Sequence, residues 1–101
     1  MNFAEARECL SDVIHSPVRL SLVAALNSVD SADYQTLREV IGVSYSLLSK
    51  HAGILEDSGY IFITKEFDGR TPVTRMGLTR DGRIAFTRYL DALDRLMRGV
   101  T

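Results

Sequence analysis

Apolar residues recur every three or four positions along most of the chain, which is the spacing of helices that bury one face. This pattern predicts a first helix over residues 3–14. Ser16 followed by Pro17 marks the start of a second helix, because serine caps a helix and proline at the first helical position loses no hydrogen bond. The apolar stripe of that second helix ends near Asn27.

Two further amphipathic segments follow a polar loop. A third helix is predicted over residues 35–41 and ends at Gly42, because glycine adopts the left-handed conformation that closes a helix. The residues expected to face inward from it are Leu37, Val40 and Ile41. Ser44 is the expected cap of a fourth helix, which continues to about Ser58 before Gly59.

The pattern then changes to β-rich runs at residues 60–65 and 72–78. Glycine and aspartate in the connecting segment 66–71 supply turn geometry, so the two runs are predicted to form a hairpin. Thr79 is the expected cap of a last helix that runs to about Arg98. Four helices, a hairpin and a final helix predict an α+β, mostly helical fold of the winged helix-turn-helix class.

The third helix, the glycine turn and the fourth helix together match a helix-turn-helix. Apolar residues are needed where the helices of this motif meet the turn, and they are present as Leu37, Ile41, Val43 and Leu48. The second helix of the motif protrudes and fits the major groove of DNA. Its polar face supplies the candidates Tyr45, Ser46 and Ser49 for base readout, and Lys50 for a phosphate or a guanine. The alternative is a solvated helix face without a partner.

The hairpin is the candidate second contact with DNA. Arg70 lies at its predicted tip, and Lys65 and Arg75 lie on its strands. A basic tip beside a recognition helix can enter the adjacent minor groove, whose negative potential attracts arginine. The alternative for Arg70 is a free surface charge.

Composition is consistent with this fold. Residues 1–101 suffice for one domain, and hydrophobic and charged fractions of 46% and 25% are those of an ordinary globular protein. No apolar run approaches the roughly 18 residues of a membrane span. The acidic, weakly apolar start does not resemble a signal peptide, and the single cysteine fits a reducing cytoplasm.

The net charge of −1 does not by itself indicate nucleic-acid binding, but its distribution is uneven. Residues 1–40 carry three basic and six acidic side chains, whereas residues 65–83 carry five basic and three acidic ones. A positive local field over the hairpin region could face phosphate while the rest of the surface stays acidic.

Four motif blocks in order resemble the winged-helix transcription regulators of the MarR and ArsR-like superfamily. They are HSPVRLSLVAAL at residues 15–26, L-S-K-H at 48–51, L-E-x-x-G-Y at 55–60 and L-T-x-x-G-R at 78–83. The resemblance extends from about Asp12 to Leu96. It implies a homodimer that binds a pseudo-palindromic operator with a recognition helix and a wing from each subunit.

The chain departs from that pattern at four positions. Arg38 replaces a small residue in the third helix, and Ala52 and Gly53 replace larger apolar and basic residues in the fourth. The missing basic side chain at Gly53 predicts weaker phosphate contact. Phe62 replaces a polar strand residue and is expected either to pack against the last helix or to form an exposed apolar spot.

The last helix carries apolar residues on more than one stripe, and a domain of this size can bury only one of them. We therefore expect residues 1–14 and 80–101 to be dimerisation helices. The expected interface residues are Phe3, Leu10, Phe86, Tyr89, Leu93, Leu96 and Met97. A two-fold axis there would hold the recognition helices about 34 Å apart, one turn of DNA. The alternative is a cap over the core of the same chain.

Other kinds of site have weak support. His51 is interpreted as a packed or capping residue, and His15 and Cys9 do not complete a metal-ligand set. Cys9 is either a buried or interface thiol or a redox switch. No nucleophile motif, carboxylate pair or phosphate-binding glycine loop is present, so we expect neither enzymatic activity nor a cofactor.

The sequence therefore favours a homodimeric regulator that binds double-stranded DNA in the cytoplasm and acts as a repressor. Two rival hypotheses remain open. One is a winged-helix module for protein–protein interaction without DNA, which the slightly acidic net charge allows. The other is a DNA-binding sensor that responds to an unknown small-molecule effector or to oxidation.

Overall fold

The computed structural model describes residues 2–99, which form five helices and a three-stranded antiparallel sheet. The helices are α1 (Phe3–Glu8), α2 (Pro17–Asn27), α3 (Tyr34–Ile41), α4 (Tyr45–Asp57) and α5 (Arg80–Met97). The strands are β1 (Ala32–Asp33), β2 (Ile61–Asp68) and β3 (Thr71–Leu78), in the order β1-β3-β2. This arrangement confirms the predicted α+β winged helix-turn-helix. The ends of the predicted 1–14 and 80–101 helices at residues 1, 100 and 101 lie outside the described residues.

The first helix is shorter than predicted, because it ends at Glu8 and not at residue 14. Ser11 explains the break. Its Oγ accepts a hydrogen bond from the Ile14 amide at 3.3 Å, and its carbonyl accepts one from the His15 amide at 2.7 Å. Ser11 thereby caps a separate turn that follows the helix, so the helix is not continuous to residue 14. Ile14 lies after the end of the helix and is nevertheless fully buried in the core.

The hairpin is also tighter than predicted. Its strands pair continuously from Ile61 opposite Leu78 to Asp68 opposite Thr71, so the turn consists only of Gly69 and Arg70. Gly69 has a φ of 66°, which glycine adopts without steric cost. The segment 66–71 is therefore mostly strand. The two-residue strand β1, which pairs with β3, was not predicted.

Helix α2 contacts α3, α4, α5 and β3 and is central to the core. Leucines from α2 and α4 meet residues of the sheet and of α5 in one buried cluster, whose largest fully buried members are Tyr89, Ile14, Leu22, Leu26, Leu48, Leu55 and Met76. The inner face of α4 predicted from the sequence, with Leu48, Ala52 and Leu55, is part of this cluster.

Three inward or outward assignments were wrong. Val40 is 69% exposed, so it lies at the solvent edge of the apolar stripe of α3 and not in the core. Phe86 and Tyr89 are 6% and 2% exposed, so they belong to the core of one protomer and are unavailable to a dimer partner. The stripe of α5 that was assigned to the dimer interface is packed into the core of the chain instead.

Phe62 is 39% exposed, so it forms the exposed apolar spot that was one of the two expectations. It lies opposite Gly77 in the sheet, and its ring covers that glycine so closely that a Cβ at residue 77 would be 2.6 Å from a ring carbon. The aromatic ring thus occupies the space that the missing side chain leaves on β3.

Candidate nucleic-acid interface

Three local features hold α4, the helix expected to contact DNA, in its orientation: the cap of α3, the glycine turn and the cap of α4. Asp33 caps α3 by accepting hydrogen bonds from the Thr36 amide and hydroxyl, each at 2.8 Å. These hydrogen bonds, which favour the carboxylate, hold the pKa of Asp33 below its ordinary value. Gly42 has a φ of 77° and ends α3, and the Ser44 hydroxyl then caps α4 by accepting from the Leu47 amide at 3.2 Å. The turn and both caps fix the direction in which α4 leaves the core.

The four residues proposed from sequence for the recognition helix share one surface. Tyr45, Ser46, Ser49 and Lys50 are all exposed on α4. The opposite side of the helix is buried, so this face is the one that α4 offers to a partner. Among these four residues the one cation is Lys50, and the other groups are two hydroxyls and a phenol, which suit hydrogen bonding to base edges or phosphates.

Tyr34 was not identified from the sequence, although it organises this surface. Its hydroxyl donates to the backbone carbonyl of Tyr45 at 3.0 Å and also makes a hydrogen bond with the Ser49 hydroxyl. Its ring lies against that of Tyr45, with centroids 4.9 Å apart. The available sequence signal, an aromatic residue at the first position of α3, does not reveal which partners it meets on α4.

His51 is a bracing residue on the half-buried flank of α4. Its Nδ1 accepts a hydrogen bond from the Arg19 guanidinium at 2.9 Å. Arg19 also bonds the carbonyls of Val13 and Asp12, so one guanidinium joins α2, the segment before it and α4. Desolvation and the nearby positive charges of Arg19 and Lys50 lower the pKa of His51. The neutral imidazole is therefore the favoured form.

The three basic residues proposed for the hairpin differ in availability. Lys65 on β2 and Arg70 at the turn are exposed. Arg75 is half-buried, and it donates to the Ser31 hydroxyl at 3.1 Å and to the Ser31 carbonyl at 3.3 Å. The guanidinium of Arg75 thereby joins β3 to the loop before β1, which leaves it less available to DNA than Lys65 and Arg70.

Arg83 is engaged in the same manner. It donates to the carbonyls of Asn27 and Val29 at 3.1 and 2.9 Å, where α2 ends. Two of the five basic side chains counted over residues 65–83 thus donate hydrogen bonds within the protein. The surface available to DNA is less basic than the sequence total suggests.

A groove of about 490 Å³ separates the hairpin from the start of α3 and α4. Its lining includes the carboxylates of Asp33, Glu66 and Asp68 and the guanidinium of Arg75. Three acids against one base make this groove unfavourable for a phosphate. Exposed cations lie instead on the outer face of α4, as Lys50, and at the hairpin tip, as Arg70.

Metal, thiol and membrane features add no second site. Between residues 2 and 99, no three His, Cys, Asp or Glu side chains cluster in a way that could hold a metal ion. Cys9 is an exposed free thiol and not a buried one. None of the helices in the same range combines the length and the apolar character needed to cross a bilayer.

Comparison with known proteins places this geometry in a family. Residues 18–97 match the winged helix DNA-binding domain family. A transcriptional regulator homologue from Pyrococcus horikoshii superposes with a TM-score of 0.86 at 25% identity, over 96% of this chain and 94% of that chain. An uncharacterized protein of Methanocaldococcus jannaschii is 24% identical over 88 residues, which are 87% of this chain and 96% of its own.

More distant structures share the fold. NadR in complex with 4-hydroxyphenylacetate has a TM-score of 0.71 at 16% identity, over 96% of this chain and 68% of that chain. Structures of a MarR-family and an ArsR-family regulator match as well. The winged-helix resemblance that the four sequence motifs indicated is thereby confirmed, and the match over residues 18–97 shows that the chain belongs to the winged helix DNA-binding domain family.

Proposed function

We propose that this protein is a homodimeric repressor that binds a specific double-stranded DNA operator. In each subunit α4 enters the major groove and the tip of the β2–β3 hairpin reaches the adjacent minor groove. The observation that carries the proposal is the exposed face of Tyr45, Ser46, Ser49 and Lys50, which caps and a glycine turn hold away from the core.

The exposed groups divide the work of binding. Lys50, Lys65 and Arg70 are suited to phosphates, and the minor-groove potential favours Arg70 at the tip. Tyr45, Ser46 and Ser49 are suited to base edges. Because the proposed reading face of α4 supplies a single cation, affinity depends on the hairpin tip and on the second subunit more than on the recognition helix itself.

Dimerisation is supported by apolar surface that the single chain leaves uncovered. Met97 is 74% exposed at the end of α5, and Leu90 and Phe3 are exposed as well. Leu10, Leu93 and Leu96 are partly buried, so they contribute only their outer edges to such an interface. The protomer is elongated, 55 × 25 × 21 Å, and pairing along α5 would bury apolar side chains that a monomer exposes.

Repression would follow when the dimer occupies its operator. A dimer whose recognition helices lie about 34 Å apart spans two successive major grooves on one side of the duplex. Bound over a promoter, it excludes polymerase from the same DNA. No further activity of the protein is required for that outcome.

A small-molecule effector is part of the same proposal. NadR, which shares the fold, was solved with 4-hydroxyphenylacetate bound. A thermal-shift screen with a broad metabolite panel tests this part. A ligand that raises the melting temperature and weakens DNA binding supports it, and no shift across the panel contradicts it.

The DNA-binding proposal is tested by selection from a genomic fragment library, followed by gel shifts at low salt. Enrichment of a palindromic site with half-sites one helical turn apart would support both specificity and dimerisation. No shift at micromolar protein would contradict DNA binding and favour the protein–protein interaction module. Enrichment of a non-palindromic single site would retain DNA binding and contradict the dimer.

A further inference from the structure

The hydrogen bonds between α3 and α4 fix which way the protons point. The Tyr34 hydroxyl has one proton, and the backbone carbonyl of Tyr45, 3.0 Å away, can only accept. That contact is a hydrogen bond only if Tyr34 donates its proton to the carbonyl. The Tyr34 oxygen can then only accept further hydrogen bonds.

The Ser49 hydroxyl is hydrogen-bonded to the same Tyr34 oxygen. Either hydroxyl could donate in this contact taken alone, but both contacts of Tyr34 are hydrogen bonds together only when Ser49 is the donor. The carbonyl of Tyr45 also accepts from the Ser49 amide within the helix, so its two lone pairs are occupied. The exposed side of Ser49 Oγ therefore presents lone pairs and no proton.

This arrangement changes what serine can read. An unrestrained serine hydroxyl rotates and reads either a donor or an acceptor on a base edge. A serine hydroxyl that donates its proton within the protein can only accept from DNA. It therefore recognises only hydrogen-bond donors on a base edge. In the major groove the donors are the N6 amino group of adenine and the N4 amino group of cytosine.

We propose that Tyr34 is a specificity-determining positioning residue, which makes Ser49 an obligate hydrogen-bond acceptor and so selects adenine or cytosine at one position of each operator half-site. This inference rests on the proposed function, because it assumes that α4 lies in the major groove. The Tyr45 ring packs against the Tyr34 ring at a tilt of 35°, so the hydroxyl is directed by packing as well as by its hydrogen bonds.

The test is in-vitro selection from a randomised duplex library with wild type, Tyr34→Phe, Ser49→Ala and the double variant. Tyr34→Phe keeps the ring and removes the hydroxyl, so Ser49 becomes free to rotate. The base position read by Ser49 is the one whose preference disappears in Ser49→Ala. We expect wild type to prefer adenine or cytosine there, and competition between duplexes that differ at that base should show a preference of roughly three- to tenfold.

Tyr34→Phe should reduce that preference toward a ratio of one, at which all bases bind equally well. The base preferences at the other positions of the site should not change. In the Ser49→Ala background the same change should have no effect at this position, which a general loosening of the helix would not produce. A guanine or thymine preference in wild type overturns the proposal. So does a position that Ser49→Ala relaxes and Tyr34→Phe leaves unchanged, or an intact specificity in Ser49→Ala.

Loss of all sequence enrichment in wild type is a different result, because it contradicts the proposed function itself. Should Tyr34→Phe unfold, which circular dichroism reports, the wild-type and Ser49→Ala selections still decide the proposal. The base preference that Ser49→Ala removes must then be for adenine or cytosine.

Discussion

The carbonyl oxygen of Tyr60 lies against the Cα of Gly82, so closely that a Cβ at residue 82 would be 2.0 Å from it. The same carbonyl accepts a hydrogen bond from the Thr79 amide at 3.0 Å, and the Thr79 hydroxyl caps α5 by accepting from the Gly82 amide at 3.0 Å. The L-T-x-x-G motif therefore has a physical basis. Threonine starts the helix, and glycine lets it pass over the backbone that enters β2.

Gly82→Ala should destabilise the protein by about 1–3 kcal/mol, because the backbone of Tyr60 must move to admit a methyl group. Gly53→Ala is the matched control, since it is also helical and an added Cβ there meets nothing within 4 Å. It should stabilise the protein by up to about 1 kcal/mol through helix propensity. Urea denaturation followed by circular dichroism measures both. Equal effects would contradict the close approach at Gly82.

Stability should fall when the protein is acidified through the range in which His51 titrates. The pKa of His51 is lowered from 6.5 by burial and by the charges of Arg19 and Lys50, so the unfolded chain binds the proton more readily. The contribution is complete above about pH 6.5 and is lost as the pH falls through the lower folded pKa. Urea midpoints measured across this range report the loss.

His51→Gln should flatten that pH dependence, because glutamine keeps an acceptor for Arg19 and does not titrate. His15→Gln is the control, since His15 lies against the Tyr89 hydroxyl and not against Arg19. An unchanged pH profile in His51→Gln would show that other groups cause the acid destabilisation.

A charge at the exposed end of α5 should separate the proposed dimer. Met97→Glu and Leu90→Glu place carboxylates on uncovered apolar surface, where burial against a partner would desolvate them. Val40→Glu is the control, because Val40 is also exposed but lies on α3. Sedimentation velocity should give a dimer for wild type and Val40→Glu and a smaller species for the α5 variants. A wild-type monomer at all concentrations, or α5 variants that remain dimeric, would oppose this interface.

Periodicity and cap chemistry were sufficient to predict most of the fold. The second helix was predicted with the bounds that the structure has, although the Ser16 side chain makes no capping hydrogen bond. The Ser44 and Thr79 caps form as expected. Local signals work at these places because the cap and the helix are neighbours in the chain. The first helix failed for a local reason too, since Ser11 stops it despite a continuing apolar stripe.

The site was harder to predict, because its decisive contacts join distant parts of the chain. Arg75 and Arg83 looked available as cations, yet each guanidinium meets backbone carbonyls or a hydroxyl more than forty residues away. Tyr34 carries no sequence signal for its role, which depends on how α3 crosses α4. Apolar periodicity likewise did not distinguish buried from exposed residues of α5. Phe86 and Tyr89 are buried in the core, whereas Met97 is exposed.

DNA binding through α4 and the hairpin tip is tested most directly by the salt dependence of affinity for the selected duplex. Fluorescence anisotropy would compare wild type, Lys50→Ala, Arg70→Ala and the control Arg88→Ala, which removes an exposed cation from α5. We expect the first two variants to bind more weakly, with a salt slope shallower by about one for each phosphate that a subunit no longer neutralises, and the control to be unchanged. Slopes and affinities equal to wild type in both Lys50→Ala and Arg70→Ala would contradict DNA binding through α4 and the hairpin tip.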